Sequence, residues 1–166
     1  MVKLQELLGI DLPIIQAPMA GVQGSALASA VCNAGGIADA RGVAAAMALG
    51  AARVQPGTAY LLCPEATTRP VHRAALKSAA ARHTALTNLF SGGAARGIVN
   101  RFMRELGPMN SAAPTFPLAA EALAPLRARA EASGSGDFSP LWSGQNPTGC
   151  KDIPAAGLTQ ELAACL

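Results

Sequence analysis

Two short glycine-bearing segments hold the residue types that can cradle a phosphate. Gly35-Gly36 stands just before a helix start, and Gln55-Pro56-Gly57-Thr58 stands at the end of a strand-like run. Glycine lets the backbone come close to an anion, and the first N–H groups of a helix have no partner within it. Thr58 adds a hydroxyl, while Pro56 removes one N–H. Either segment alone reads as an ordinary turn. Two of them about twenty residues apart, joined by one helix, make a shared anion pocket.

The neighbouring elements must aim these loops. Leu12 to Met19 contains Ile14-Ile15 between prolines, a pattern that predicts a buried parallel strand. Ser25 is placed to cap a helix over Ala26 to Asn33, and Asp39 to cap another over Arg41 to Leu49, stopped by Gly50. Ala52 to Ala59 predicts a second strand, continued by Leu61 and Leu62. Val71 to Arg82 predicts a helix, Thr84 to Phe90 a strand-like stretch, and Ala95 to Leu106 helical character. Glu121 to Ala132 and Leu158 to Leu166 predict the last helices, after a loop from Gly107 to Pro117. Strand, helix, glycine loop, helix, strand and helix in that order are α/β grammar.

Composition narrows the function classes. The chain has 166 residues, 51% of them hydrophobic and only 14% charged, which argues against disorder. A net charge of +3 without a basic stripe argues against nucleic acid. Arg69, Arg73 and Lys77, spaced at i, i+4, read as a solvated helix face. The four cysteines form no Cys-x-x-Cys pair, so neither a zinc site nor a disulfide framework is expected, and cytoplasmic thiols are the default. The apolar run from Gly42 to Ala52 has 11 residues, too few to span a membrane.

Residues 35–46, Leu49-Gly50-Ala51 and Val54 to Ala59 together resemble the last two units of the nitronate monooxygenase (2-nitropropane dioxygenase) family. Leu62-Cys63-Pro64-Glu65-Ala66, Ser91 to Gly97, Asn100-Arg101-Phe102 and Trp142-Ser143-Gly144-Gln145 continue the resemblance, and residues 8–19 resemble its first strand. The resemblance implies an FMN-dependent (β/α)8 barrel that oxidises alkyl nitronates with O2. Ala17, Pro18 and Met19 would then line the isoalloxazine side. Gly35 and Gly36 would bind the phosphate through the backbone, with Gln55, Gly57 and Thr58 completing the cradle. Lys151 is a candidate contact for an anionic substrate. Tyr60 and Trp142 read as core, and Arg96 and Arg101 as loop anchors.

A closed barrel of this kind needs about 250 residues, with 200 as a floor. Asn33-Ala34-Gly35-Gly36 reads both as the end of the family's first helix and as the end of its seventh strand. An internal deletion joined there would remove the middle of the barrel. Residues 1–106 would be a truncated flavin-binding barrel portion and residues 107–166 a loop-rich, helical tail. The family's catalytic histidine has no counterpart; His72 and His83 read as surface residues. Exposed strand edges would favour self-association. Two other readings stay open: a flavin-dependent enoyl-ACP reductase-like barrel, and a non-catalytic remnant.

Overall fold

A computed structural model of the chain describes Glu6 and residues 9–14, 36–51 and 53–166. The expected helix over Ala26 to Asn33, its cap Ser25, and the candidate site residues Ala17, Pro18, Met19 and Gly35 lie outside the described residues.

Asp39 is extended, with φ of −148°, and its Oδ1 accepts the Gly42 N–H at 2.8 Å. That bond satisfies one free donor at the start of helix α1, Ala40–Ala48. Gly50, at φ +92°, ends the helix, and the Ala51 N–H turns back to the Ala46 carbonyl at 3.0 Å. A left-handed residue just past a helix end is a natural glycine position.

Strand pairing departs most from expectation. Among the described residues the parallel pairing shrinks to one bridge, Ile14 to Val54, with the Val54 N–H on the Pro13 carbonyl at 3.0 Å. Pro56 has no N–H to extend a ladder. The chain then winds into a 3-10 helix, Thr58–Leu62, so Leu61 and Leu62 are helical rather than strand. They remain buried, as expected of apolar residues beside a core.

Helix α2, Pro70–Lys77, begins on its proline, which suits the first helical turn. It stops at Ser78, whose hydroxyl donates to the Ala75 carbonyl at 2.7 Å, and a short 3-10 helix, Ala79–Arg82, follows. The helix expected over Val71 to Arg82 is therefore two pieces. Strands β1, Thr84–Thr87, and β2, Ala95–Ile98, pair antiparallel with Leu86 opposite Arg96. The helical character expected for Ala95 to Leu106 is corrected here. Ala95–Ile98 is strand, and only Arg101–Leu106 is helix, α3. Alanine favours a helix locally, but cross-strand pairing and burial of Gly97 and Ile98 decide. A Cβ on Gly97 would stand 3.1 Å from the Leu141 carbonyl oxygen, so the close approach of residues 141–142 depends on glycine there. Asn100 caps α3, taking the Met103 N–H at 3.2 Å. Helices α4, Leu118–Ala132, and α5, Ala155–Ala163, complete the α/β arrangement.

The core has three parts, two of them joined through the Thr58–Leu62 helix. Ala59 and Tyr60 pack with Ile14, Val43, Val54, Leu158 and Leu162. Leu61 and Leu62 pack with Leu76, Ala81, Ile98 and Leu141. Leu89, Phe90, Met103 and Leu123 form the third part, with Trp142 against it. Among the described residues no helix is long and apolar enough to cross a membrane.

Leu158, 1% exposed, anchors α5 beneath α1. Leu158→Ala is expected to cost about 2–5 kcal/mol, measured by urea unfolding. Leu49→Ala, at a side chain 90% exposed, is expected to stay within about 0.5 kcal/mol.

Candidate functional site

The Thr58–Leu62 helix positions the site because Arg73 holds its end. The Arg73 guanidinium donates to the carbonyls of Leu61 at 3.5 Å, Cys63 at 3.3 Å and Leu62 at 2.7 Å. The Leu61 and Leu62 carbonyls are acceptors a helix end leaves free, while that of Cys63 also takes the Ala66 N–H at 3.0 Å. Arg73 also pairs with Asp152 at 2.8 Å, and Lys77 reaches the other Asp152 oxygen at 2.6 Å. The hydrogen bond from Lys77, with further help from Arg73, holds the Asp152 carboxyl below its usual range. The basic face expected to be merely solvated therefore ties α2 to the 3-10 helix and to the C-terminal segment.

Residues 144–150 bring the two glycine loops together. The Gly144 N–H donates to Thr58 Oγ1 at 2.8 Å, and the Cys150 thiol donates to the Thr58 carbonyl at 3.0 Å. On the other side Gly36, at φ +24°, packs on Asn146, whose backbone N and O would stand 3.3 Å from any Cβ there. Gly149 is tighter still: a Cβ would fall 2.1 Å from the Ala38 carbonyl oxygen. Gly36 and Thr58 thus share one wall. The N–H groups of Gly57 and Thr58 donate to no described residue. Gln55 is half-buried beside them. Lys151 is not gathered in; it is exposed and ion-paired with Glu161.

A cavity of about 480 Å³ opens beside the cradle, with Gly57 in its wall. Leu61, Val71, Leu141 and Trp142 give it apolar surface; His72, Arg127 and Glu131 give it polar groups. The expectation that His72 is a surface residue is corrected. It is half-buried, and its Nε2 donates to the Trp142 carbonyl at 2.9 Å. A carbonyl can only accept, so the neutral ring keeps its lone pair on Nδ1. Burial pushes the imidazole pKa down by more than that hydrogen bond lifts it. His83 is exposed, as expected.

Burial pushes the Glu131 carboxyl up, but the Ser139 hydroxyl and the Arg69 guanidinium outweigh it and hold the group low. Burial pushes the Cys150 thiol up to about 11 and raises Cys63 as well, so both stay protonated and unreactive at neutral pH. The Tyr60 hydroxyl shares a 2.8 Å hydrogen bond with Thr159 in the core. Trp142 is a packing residue, edge-on to Phe90 with ring centroids 5.8 Å apart. Arg96 holds the Thr84 carbonyl at 3.3 Å, whereas Arg101 pairs on its own helix with Glu105. His72 could not be placed from its basic sequence neighbours. Its i+4 spacing to the buried Leu76 was the available signal.

The family model described as nitronate monooxygenase matches residues 33–164. Nitronate monooxygenase of Pseudomonas aeruginosa is 43% identical over 133 residues, covering 80% of this chain and 38% of that protein. The enzyme of the same name from Paraburkholderia phytofirmans is 40% identical over 134 residues, covering 80% and 36%. Among solved structures, nitroalkane oxidase from Streptomyces ansochromogenes superposes with a TM-score of 0.70 at 37% identity, over 78% of this chain and 37% of that one. FabK from Thermotoga maritima gives 0.56 at 27% identity, over 96% and 55%. The chain thus spans under two fifths of the length of these curated relatives.

His72 also sets a pH dependence. Its folded pKa lies below the ordinary 6.5, so the unfolded chain binds this proton more tightly. Stability should therefore fall as pH drops from above 6.5 toward the folded value. Between pH 7.5 and 5.5 the melting temperature is expected to fall in the wild type and to fall less in His72→Gln. Parallel profiles would show that the imidazole is not desolvated.

Proposed function

The chain belongs to the nitronate monooxygenase family, and on that premise we propose that it is built from the first and last units of an FMN-binding (β/α)8 barrel and oxidises alkyl nitronates with O2. On this reading residues 1–106 form the flavin-binding portion and residues 107–166 the tail, with the protein working in the cytoplasm. The middle of the barrel is absent by internal deletion, and exposed strand edges supply a route to self-association.

One observation carries the reading. Residues 144–150 hold the Gly36 loop and the Thr58 loop against one wall, beside two N–H groups that donate to no described residue. These residues fit a phosphate. Gly57 and Thr58 would donate their N–H groups, and the Gly36 backbone would close the other side. The Gly144 N–H occupies a lone pair of Thr58 Oγ1, which leaves the Thr58 O–H proton free for a phosphate oxygen. Gly35, Gln55 and the ring-lining Ala17, Pro18 and Met19 belong to the same proposal. Lys151 would meet an anionic substrate only after leaving Glu161. Bound FMN supplies a ring that takes electrons from the substrate carbon and returns them to oxygen.

A nitronate arrives already deprotonated at carbon, so it needs a proton-abstracting histidine less than a nitroalkane does. After reconstitution with FMN, the protein is expected to retain flavin colour and to consume O2 with the nitronate of nitropropane, faster than with nitropropane itself. Gly36→Ala is expected to weaken FMN about tenfold, or about 1.4 kcal/mol, by fluorescence titration. A protein that retains no flavin would sink the cofactor assignment.

A further inference from the structure

Helix α4, Leu118–Ala132, is apolar on both of its faces. The inner face buries Ala119 and Leu123, the latter in the third core cluster. The outer face carries Leu118, Ala122, Pro125, Leu126 and Ala132, all of them exposed. At about 3.6 residues per turn these five share one side of the helix. Leu118 is 52% exposed and Leu126 45%. A helix that is apolar on both sides is normally covered on both. Two charged residues, Glu121 and Arg129, stand on this outer side, and neither side chain makes an ion pair or hydrogen bond among the described residues. They lie about 12 Å apart along the axis, too far to pair within the helix. Pro125 stands between them and has no N–H, so the Glu121 carbonyl lacks its usual helical donor.

The outer face is complementary to itself about Pro125. Leu118 and Ala132 are equally far from that residue, as are Glu121 and Arg129, and Ala122 and Ala128. A two-fold axis through Pro125 therefore sets each member of a pair against its opposite number in an antiparallel second copy, as an isologous interface requires. We propose that the chain self-associates through this face of α4, as a two-fold antiparallel helix pair. Glu121 of each copy then meets Arg129 of the other. The arriving guanidinium finds the Glu121 carboxylate and the carbonyl that Pro125 leaves without a donor. The small side chains of Ala122 and Ala128 let the axes approach to about 8 Å, the close end of helix packing. This charge match to the helix itself favours a second copy over an unrelated chain. The helix of 15 residues is about 22 Å long, and one helix pair of that length is a small interface, so the dimer is weak and reversible. It uses no strand edge and does not depend on the flavin reading.

Analytical ultracentrifugation of the full chain over rising concentration tests this. The wild type is expected to move from a 16.7 kDa monomer toward twice that mass. Glu121→Arg sets arginine against arginine across the axis, and Arg129→Glu sets carboxylate against carboxylate. Each is expected to weaken self-association about tenfold or more. An equimolar mixture of the two variants restores opposite charges at both contacts and is expected to recover the dimer as a heterodimer. A monomer at every concentration, which would leave the face to a different polypeptide, would overturn the proposal. So would a dimer indifferent to both reversals, or a mixture no more associated than its components. If either variant does not fold, Leu126→Lys on the same exposed face takes its place, and an undiminished dimer there overturns the proposal equally. Flavin is absent from this readout, so failure of the function proposed above would leave the result standing.

Discussion

The Arg73 guanidinium gathers three carbonyls at the end of the Thr58–Leu62 helix and one oxygen of Asp152. Those acceptors come from two segments far apart in sequence, and Arg73 itself lies on a third. The 3-10 helix carries Thr58 at one end and two faces of the core in its middle. Helix α2 carries His72, and the segment beginning near Asp152 leads into α5, which closes the first core cluster. Loss of this cation would leave the Leu61 and Leu62 carbonyls short of a donor. Such groups are costly in a partly buried setting. The cradle and the cavity are therefore two sides of one joint.

The legible parts of this fold are those fixed by local chemistry. Asp39 as a cap and Gly50 as a stop are decided within a few residues, and both stand where the sequence puts them. Ala95–Ile98 was not legible, because its partners Thr84–Thr87 and Leu141 lie across a turn and 43 residues downstream of Ile98 respectively. Nothing in Ala-Arg-Gly-Ile by itself tells strand from helix. His72 was obscured by its neighbours: Arg69, Arg73 and Lys77 look like a wet surface until Glu131 and Asp152 arrive to pair with them.

The family pattern also depends on which parts of the chain touch. The Ile14 to Val54 bridge pairs the N-terminal segment in parallel with the segment that leads into Gly57 and Thr58. It leaves the backbone on the outer sides of that bridge without further strands among the described residues.

Trp142 is the single tryptophan of the chain. Its ring stands edge-on to Phe90 in the third core cluster, its carbonyl holds His72, and it lines the cavity. The molecule therefore carries its one indole fluorophore at the wall where hairpin, helix and cavity meet. Excited where Tyr60 does not absorb, its emission reads the polarity of that wall without an added dye, while Tyr60 lies in the α1–α5 core.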